Sequence, residues 1–248
     1  MVARKLPGVS VLRTTDLWEE KPDLIINIMP FGEIVSMEGV PACYWEIDNH
    51  LVRGRNTHYY ELMDKVYIPQ ESYMGNYPVK KTDILPLACD PDLHKENETV
   101  AIEYDIGFIG NDTYPERREL LEFMARKYKV LRTNTPPGLP YSEALSKCKL
   151  TFNRSLDKDV NMRFFEAMAT GRLLLTDYLP QQDLYATNHA HYETYTDWKD
   201  LDEKINYYLT HDEDRKRIGA DGAEHIRTNH TYHHRLMKIL EDFTCQVS

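Results

Sequence analysis

The sequence lacks any run of about 18 apolar residues, the minimum for a helix that crosses a membrane. Its opening stretch, MVARKLPGVSVLRTTD, has no long apolar segment of the secretory kind, so no leader is expected there. Cysteine is scarce: Cys43, Cys89, Cys148 and Cys245 stand far apart, with no C-x-x-C pair. Together these absences predict reduced thiols in a cytoplasmic protein. No G-x-x-x-x-G-K-[ST] loop and no G-x-G-x-x-G fingerprint occurs, which argues against a P-loop nucleotidase and against an NAD or flavin enzyme. His230 and His234 have the i, i+4 spacing that zinc uses, but neither a third ligand nor an H-E-x-x-H accompanies them, so no metal and no cofactor is expected. The D-x-D pattern at Asp157–Asp159 recurs at Asp90/Asp92, Asp200/Asp202 and Asp212/Asp214, so in this acidic chain it carries little information. Net basic charge is also missing. At −10 the chain repels polyanions as a whole, which argues against general nucleic-acid binding while leaving room for a local anion cleft. Internal repeats and low-complexity tracts are absent.

What is present is a chain of 248 residues, 42% apolar, in which short strand-like runs alternate with helical periodicity. That alternation predicts an α/β fold with parallel sheets covered on both faces. From Tyr104 onward the units are clear. YDIGFIGN is a strand ending in Gly-Asn, and Pro115 and Glu116 open an amphipathic helix carrying Leu121 and Met124. KVLRT (129–133), KLTFNRS (149–155), RLLLTDYL (172–179) and HYETY (191–195) are further strands, and TPPGLP is a break. MRFFEAMATG (162–171) is a helix closed by Gly171, and Asp197 caps a later helix. Upstream, DLIINIMPF, VPACYWEID, VYIPQ and DILPLACD read as strands of a shorter unit, with the charged stretch 94–103 as linker. The expected division is 1–98, 99–230, and a C-terminal helix, 231–248, packing back on the first domain.

Segment 151–181 carries the most chemistry. Arg163 and Glu166 are three apart at the start of a helix, hence on one face. A helix N-terminus offers free N–H groups to an anion, an arginine fork pairs with diphosphate oxygens, and an ionised carboxylate accepts from the vicinal hydroxyls of a ribose. Ala167, Ala169 and Gly171 admit close approach, and Met162, Phe165 and Ala169 form the opposite, buried stripe. The plain alternative is an i, i+3 ion pair on a solvent face.

RFFEAMATGRLLLTD resembles the donor-binding helix and following strand of group-1, family-4-like glycosyltransferases of the GT-B fold. YDIGFIGNDTYPERRELLEFMA, PLACDPDLH and HTYHHRLMKIL resemble the spore-maturation-type branch of that group, and the similarity spans about residues 83–243. The resemblance implies two Rossmann-like, doubly wound domains facing a cleft, the N-terminal one shortened. It implies transfer of a sugar from a nucleotide-sugar donor, with no metal. Glu166 would hold the donor ribose, and Gly110 with Asn111 would form the loop near the phosphates. Asn153, Arg154 and Arg163 complete the expected donor set, the two arginines standing in for the family's phosphate-binding pair. Where the family often has a second glutamate, eight positions before Glu166, this chain has Lys158 between Asp157 and Asp159.

On the acceptor side, Glu46, Asp48 and His50 alternate in CYWEIDNHLVRGR and share a face if the strand continues; Asp48 or His50 would then be the base for an inverting reaction. The alternative there is a strand-to-loop turn. Tyr44, Trp45, Tyr59, Tyr60, Tyr73 and Tyr77 are chiefly core formers. The acceptor is a glycan, a small molecule or, given the basic strip Arg53, Arg55, Lys80 and Lys81, a modified DNA base. A non-catalytic nucleotide-sugar binding subunit, a homo-oligomer or a partner that completes the short first domain are the competing readings, and a nucleotide-sugar epimerase is a weaker one.

Overall fold

The computed structural model describes residues 21–28, 34–52, 57–134 and 139–244, the side chains at 50, 52, 57 and 139 excepted. Arg53, Arg55, Cys245, the side chain of His50 and most of the expected break after Asn134 lie outside the described residues. Two compact units emerge, Met1–Leu87 with Tyr232–Ser248, and Ala88–Thr231. None of the described helices is long and apolar enough to cross a membrane.

In the first unit, β1 (Ile25–Ile28), β2 (Ala42–Trp45), β3 (Lys65–Ile68) and β4 (Thr82–Ile84) form one parallel sheet in the order β1-β2-β3-β4. All four residues of β2 are buried. A strand covered on both faces is apolar throughout rather than alternating, which is why ACYW shows no period of two. One face packs Tyr44, Tyr60, Met63, Val66, Ile68 and Tyr77. Short helices α1 (Asn49–Val52) and α2 (Thr57–Glu61) follow β2. The last helix, α8 (Tyr232–Thr244), belongs to this unit. Its Arg235 donates to the carbonyls of Pro86 and Leu87, Tyr67 donates to Asp242 at 2.8 Å, and Trp45 meets Tyr232 edge-on.

The second unit holds β5 (Tyr104–Ile109), β6 (Val130–Thr133), β7 (Cys148–Phe152), β8 (Leu173–Asp177) and β9 (Glu193–Tyr195), all parallel, in the order β6-β5-β7-β8-β9. Helices α3 (Pro115–Ala125), α4 (Leu139–Ser146), α5 (Met162–Ala169), α6 (Trp198–Thr210) and α7 (Asp212–Asn229) complete it. Phe108, Leu150, Phe152 and Leu175 of the sheet pack with Leu121 and Met124 of α3 and Leu201 and Ile205 of α6. Asp197 caps α6, accepting from the N–H groups of Lys199 and Asp200. Gly171, at φ +80°, closes α5. A Cβ on Gly222 of α7 would lie 2.2 Å from the His191 carbonyl, so α7 is seated backbone against backbone.

Three expectations change. The stretch 94–103 is no free linker: the Asn97 N–H donates to Ser146, the Glu103 N–H donates to the Lys147 carbonyl, and Glu96 pairs with Arg172 at 2.7 Å, so it is strapped to the second unit. Of the expected buried stripe, Phe165 and Ala169 are buried, joined by Phe164, Ala167 and Met168, whereas Met162, in the first turn of α5, is exposed. Finally, β2 stops at Trp45 and helix begins at Asn49, so Glu46, Asp48 and His50 do not alternate along one strand.

Candidate functional site

The second sheet reverses direction between β5 and β7: the chain runs outward from β5 to β6, then returns past β5 to β7. In doubly wound sheets, ligands bind at such a reversal, outside the carboxyl ends of the strands. Here those ends are Gly110–Asn111 after β5 and Asn153–Arg154 after β7, with α5 starting alongside.

Gly110 sits at φ +143°, and a Cβ there would meet Nη2 of Arg163 at 2.0 Å. The missing side chain is therefore the space that the Arg163 guanidinium occupies. Nε of Arg163 donates to the Ile109 carbonyl at 2.8 Å and Nη1 to Oδ1 of Asn153 at 2.8 Å, while the fork lies 4.5 Å from the Phe108 ring centre. Asn153 is fully buried, and its Nδ2 donates to Thr176, which fixes its oxygen towards Arg163. All the hydrogen-bond partners of this guanidinium are neutral, and burial lowers its pKa. A charge withdrawn from water with no counter-ion bonded to it costs several kcal/mol, on the order of the gain from its two hydrogen bonds. The site is thus built around a cation whose hydrogen bonds go to neutral partners and whose counter-charges, Glu166 and Asp159, act on it without a direct ion pair.

Glu166 lies one turn further along α5, its side chain 13% exposed. It does not pair with Arg163, so the plain i, i+3 ion pair is not what forms. Nε2 of His94 lies 3.4 Å from its Oε1. Burial pushes the Glu166 carboxyl up to about 7, Arg163 drawing it the other way. Tyr141 of α4 stacks edge-on against His94. Its buried hydroxyl has no hydrogen-bond partner among the described residues, and it feels the charges of both Glu166 and Arg163. Oδ1 of Asn161, at the N-terminus of α5, is likewise buried and unpaired. Unmet polar atoms of this kind cost about 1–3 kcal/mol each, which a polar ligand or water would recover.

The remaining expected residues have other engagements. Asn111 Oδ1 accepts from the N–H and hydroxyl of Thr113, holding a turn. Arg154 pairs with Glu116 at 2.6 Å and reaches Asp177 at 3.5 Å, so its charge is already met. Of the two aspartates flanking Lys158, Asp159 is buried and within the electrostatic reach of Arg163, whereas Asp157 is exposed. Asp157 and Lys158 both adopt positive φ, +50° and +60°, which turns the β7–α5 loop sharply.

Sequence reasoning missed Arg117, which is 3% exposed in the first turns of α3. Nη1 donates to the Asn111 carbonyl, and Nε and Nη2 donate to the Arg154 carbonyl, clamping the loops after β5 and β7. Burial and the neighbouring Arg163 lower its pKa to about 10. His94 and Tyr141 were also missed; their partners are remote in sequence, so no local spacing signals them.

In the first unit, Asp48 is partly exposed just beyond β2, and its carbonyl accepts from Leu51. Glu46 is fully buried and receives the hydroxyls of Tyr60, at 3.0 Å, and Tyr77. Its role is therefore internal to the core rather than on a shared catalytic face. Lys81 donates to the Met63 carbonyl. Among the described residues no group of three His, Cys, Asp or Glu side chains is arranged to hold a metal.

Solved structures resemble this architecture. HepE of Anabaena in complex with UDP-glucose matches with a TM-score of 0.63 at 12% identity, over 83% of this chain and 72% of that one. The sucrose-phosphate synthase of Thermosynechococcus elongatus matches at 0.65 and 11%, over 91% and 74%. TarM of S. aureus, crystallised as a G117R mutant with Fondaparinux, alpha-GlcNAc-glycerol and UDP, matches at 0.59 and 14%, over 81% and 50%. At such identities the likeness establishes the fold alone, the α/β architecture of GT-B glycosyltransferases with parallel sheets and a short first unit. No curated protein sequence matches the chain. The family described as "Glycosyl transferase-like" matches residues 97–241, well over half of the chain, and with them the whole β5–β9 sheet and its switch point. On that match, this protein belongs to the glycosyl transferase-like family.

Proposed function

We propose that the protein transfers a sugar from a nucleotide-sugar donor to an acceptor hydroxyl of a glycan or small molecule, in the cytoplasm and without a metal. The observation that carries this reading is the buried Arg163 guanidinium at the switch point, hydrogen-bonded only to neutral groups, one helical turn from the Glu166 carboxyl, which faces His94 rather than Arg163. A nucleoside diphosphate presents the complement of both: an anionic bridge for Nη2 of Arg163 and the N-terminus of α5, and a diol for Glu166. Gly110 and Asn111 line the phosphates, Asn153 holds Arg163 in place, and Arg154 becomes available when the ligand displaces a carboxylate partner. A leaving diphosphate held by a fixed cation and backbone dipoles lowers the barrier because the charge that develops there is already matched. In this reading Asp48, with His50, is the base candidate on the acceptor side, and the spore-maturation-type branch is the proposed place of the chain within its family. The buried, unpaired Cys43, Cys89 and Cys148 suit a reducing compartment.

Calorimetry with UDP, GDP and ADP, followed by donor turnover with and without EDTA, tests the proposal. Glu166→Ala should raise the donor KM at least tenfold while Tm holds or rises. Nucleotide binding without any transfer or donor hydrolysis would mark the chain as a binding subunit, and absence of nucleotide binding would refute the reading altogether.

A further inference from the structure

His94 lies in the strap that precedes β5, outside the helix that carries the donor-facing pair, and is 4% exposed. Its ring is held on both sides. Nδ1 accepts the backbone N–H of Asp90 at 3.0 Å, and the Tyr141 ring closes on it edge-on, centroids 5.8 Å apart. A backbone N–H can only donate, so Nδ1 carries no proton, and the hydrogen of the neutral ring resides on Nε2. That nitrogen faces Oε1 of Glu166 at 3.4 Å. The separation exceeds the roughly 3.2 Å limit of a formed N–H···O bond, and such contacts tighten when a ligand fixes the carboxylate.

We propose that His94 is the positioning residue of Glu166: an uncharged imidazole whose Nε2–H orients the carboxylate and favours its ionised form, so that both oxygens accept from the hydroxyls of the donor ribose. The proposal rests on the nucleotide-sugar reading of the site. His94 is not a proton carrier in this role. Burial lowers its pKa to about 4, against the pull of Asp90, and a proton on Nδ1 would oppose the Asp90 N–H. The other groups that act on Glu166 are Arg163 from its own helix, Tyr141 from α4 and the Cys89 thiol from the segment before the strap, the last itself under the influence of Arg227 of α7. Of these, Arg163 favours the carboxylate, whereas Tyr141 and Cys89 are held in their neutral forms by burial. An ionised carboxylate accepts from both ribose hydroxyls, whereas the acid keeps one good acceptor and turns its other oxygen into a donor, so donor affinity rises with pH through the Glu166 midpoint.

Carbon-detected NMR titration of the Glu166 carboxyl in the ligand-free chain, with the resonance assigned by its loss in Glu166→Gln, tests this directly. In the wild type the midpoint should fall near 7. His94→Leu should raise it by about one pH unit or more, and His94→Gln, which keeps a donor, should restore it to within about half a unit. An unchanged midpoint in His94→Leu overturns the proposal. A second measurement needs no variant: the wild-type His94 Nε2 resonance should step at the same pH as Glu166, and a flat trace is equally fatal. With UDP as probe, the wild-type Kd should fall about tenfold from pH 6 to pH 8, and His94→Leu should displace that profile upward by about one unit. If UDP fails to bind the wild type, the functional reading suffers, while the two NMR midpoints still decide the role of His94.

Discussion

At Gly110 a single hydrogen atom keeps the Arg163 guanidinium in place. Gly110→Ala sets a Cβ 2.0 Å from Nη2 at φ +143°, a steric and a backbone penalty together. The expected cost is about 2–4 kcal/mol in chemical denaturation, with donor affinity lost in parallel. Gly75→Ala, where nothing lies within 4 Å, should leave both quantities within about 0.5 kcal/mol and serves as the control. Glu166 and His94 make opposite demands on pH. The Glu166 pKa is raised from 4.5 to about 7 on folding, so the native state binds the extra proton and stability declines as pH rises through that interval. The His94 pKa is lowered from 6.5 to about 4, so stability declines as pH falls through that interval. Between about 4.5 and 6.5 the two slopes oppose each other; above 6.5 only the Glu166 penalty still grows. Glu166→Gln should therefore match the wild type in urea midpoint near pH 4.5 and exceed it at pH 8, by on the order of 2–3 kcal/mol. A constant offset between Glu166→Gln and the wild type at all pH values would remove the buried carboxyl as the cause.

At the scale of elements, the site is two loops and a helix start held by one arginine. Arg117 reaches the Asn111 and Arg154 carbonyls with three donors, so Arg117→Met leaves two carbonyls without partners and frees the loops after β5 and β7. A loss of about 2–4 kcal/mol is expected, and Arg117→Lys should recover little of it because one ammonium cannot reproduce the fork. Faster amide exchange confined to 110–114 and 153–158 would accompany the loss; uniform exchange across the unit would contradict the clamp. The elements themselves were largely legible in the sequence. Buried parallel strands are short continuous apolar runs between breakers, as in YDIGFIGN and RLLLTDYL, and α5 announced itself by its pattern and its closing glycine. The misreadings have physical causes. The chain after Trp45 enters helix at Asn49, and side-chain alternation alone did not reveal where the strand ends. Arg117 binds a carbonyl 37 positions away, and His94 meets a carboxylate in another element, so tertiary contact created these roles and no local spacing encodes them.

At the scale of the molecule, each unit has its own sheet and its own apolar cluster. A nucleotide bound at the β5/β7 switch point stabilises the unit that contains it. UDP at about a hundred times its Kd should add about 2.7 kcal/mol to that unit, read as a rise in Tm and as slower amide exchange across β5, β7 and α5. Protection appearing only in β1–β4 would relocate the site. The net charge of −10 predicts that any association with duplex DNA is weak and vanishes with modest salt, and a gel-shift series with increasing salt checks it.

The membership of α8 in the first unit has a consequence for biosynthesis. Arg235 meets a carbonyl 149 positions upstream, and Ile239 and Phe243 are buried on the same helix. Ribosomes emit roughly 5–20 residues per second, so strands β1–β4 wait on the order of 10–30 s for their final covering helix. Everything from Ala88 to Thr231 has by then left the exit tunnel or is about to, and can reach its native arrangement first. The order of maturation thus runs opposite to the order of translation, and the aromatic surface of β2 and β3 that α8 hides stays open until that helix emerges.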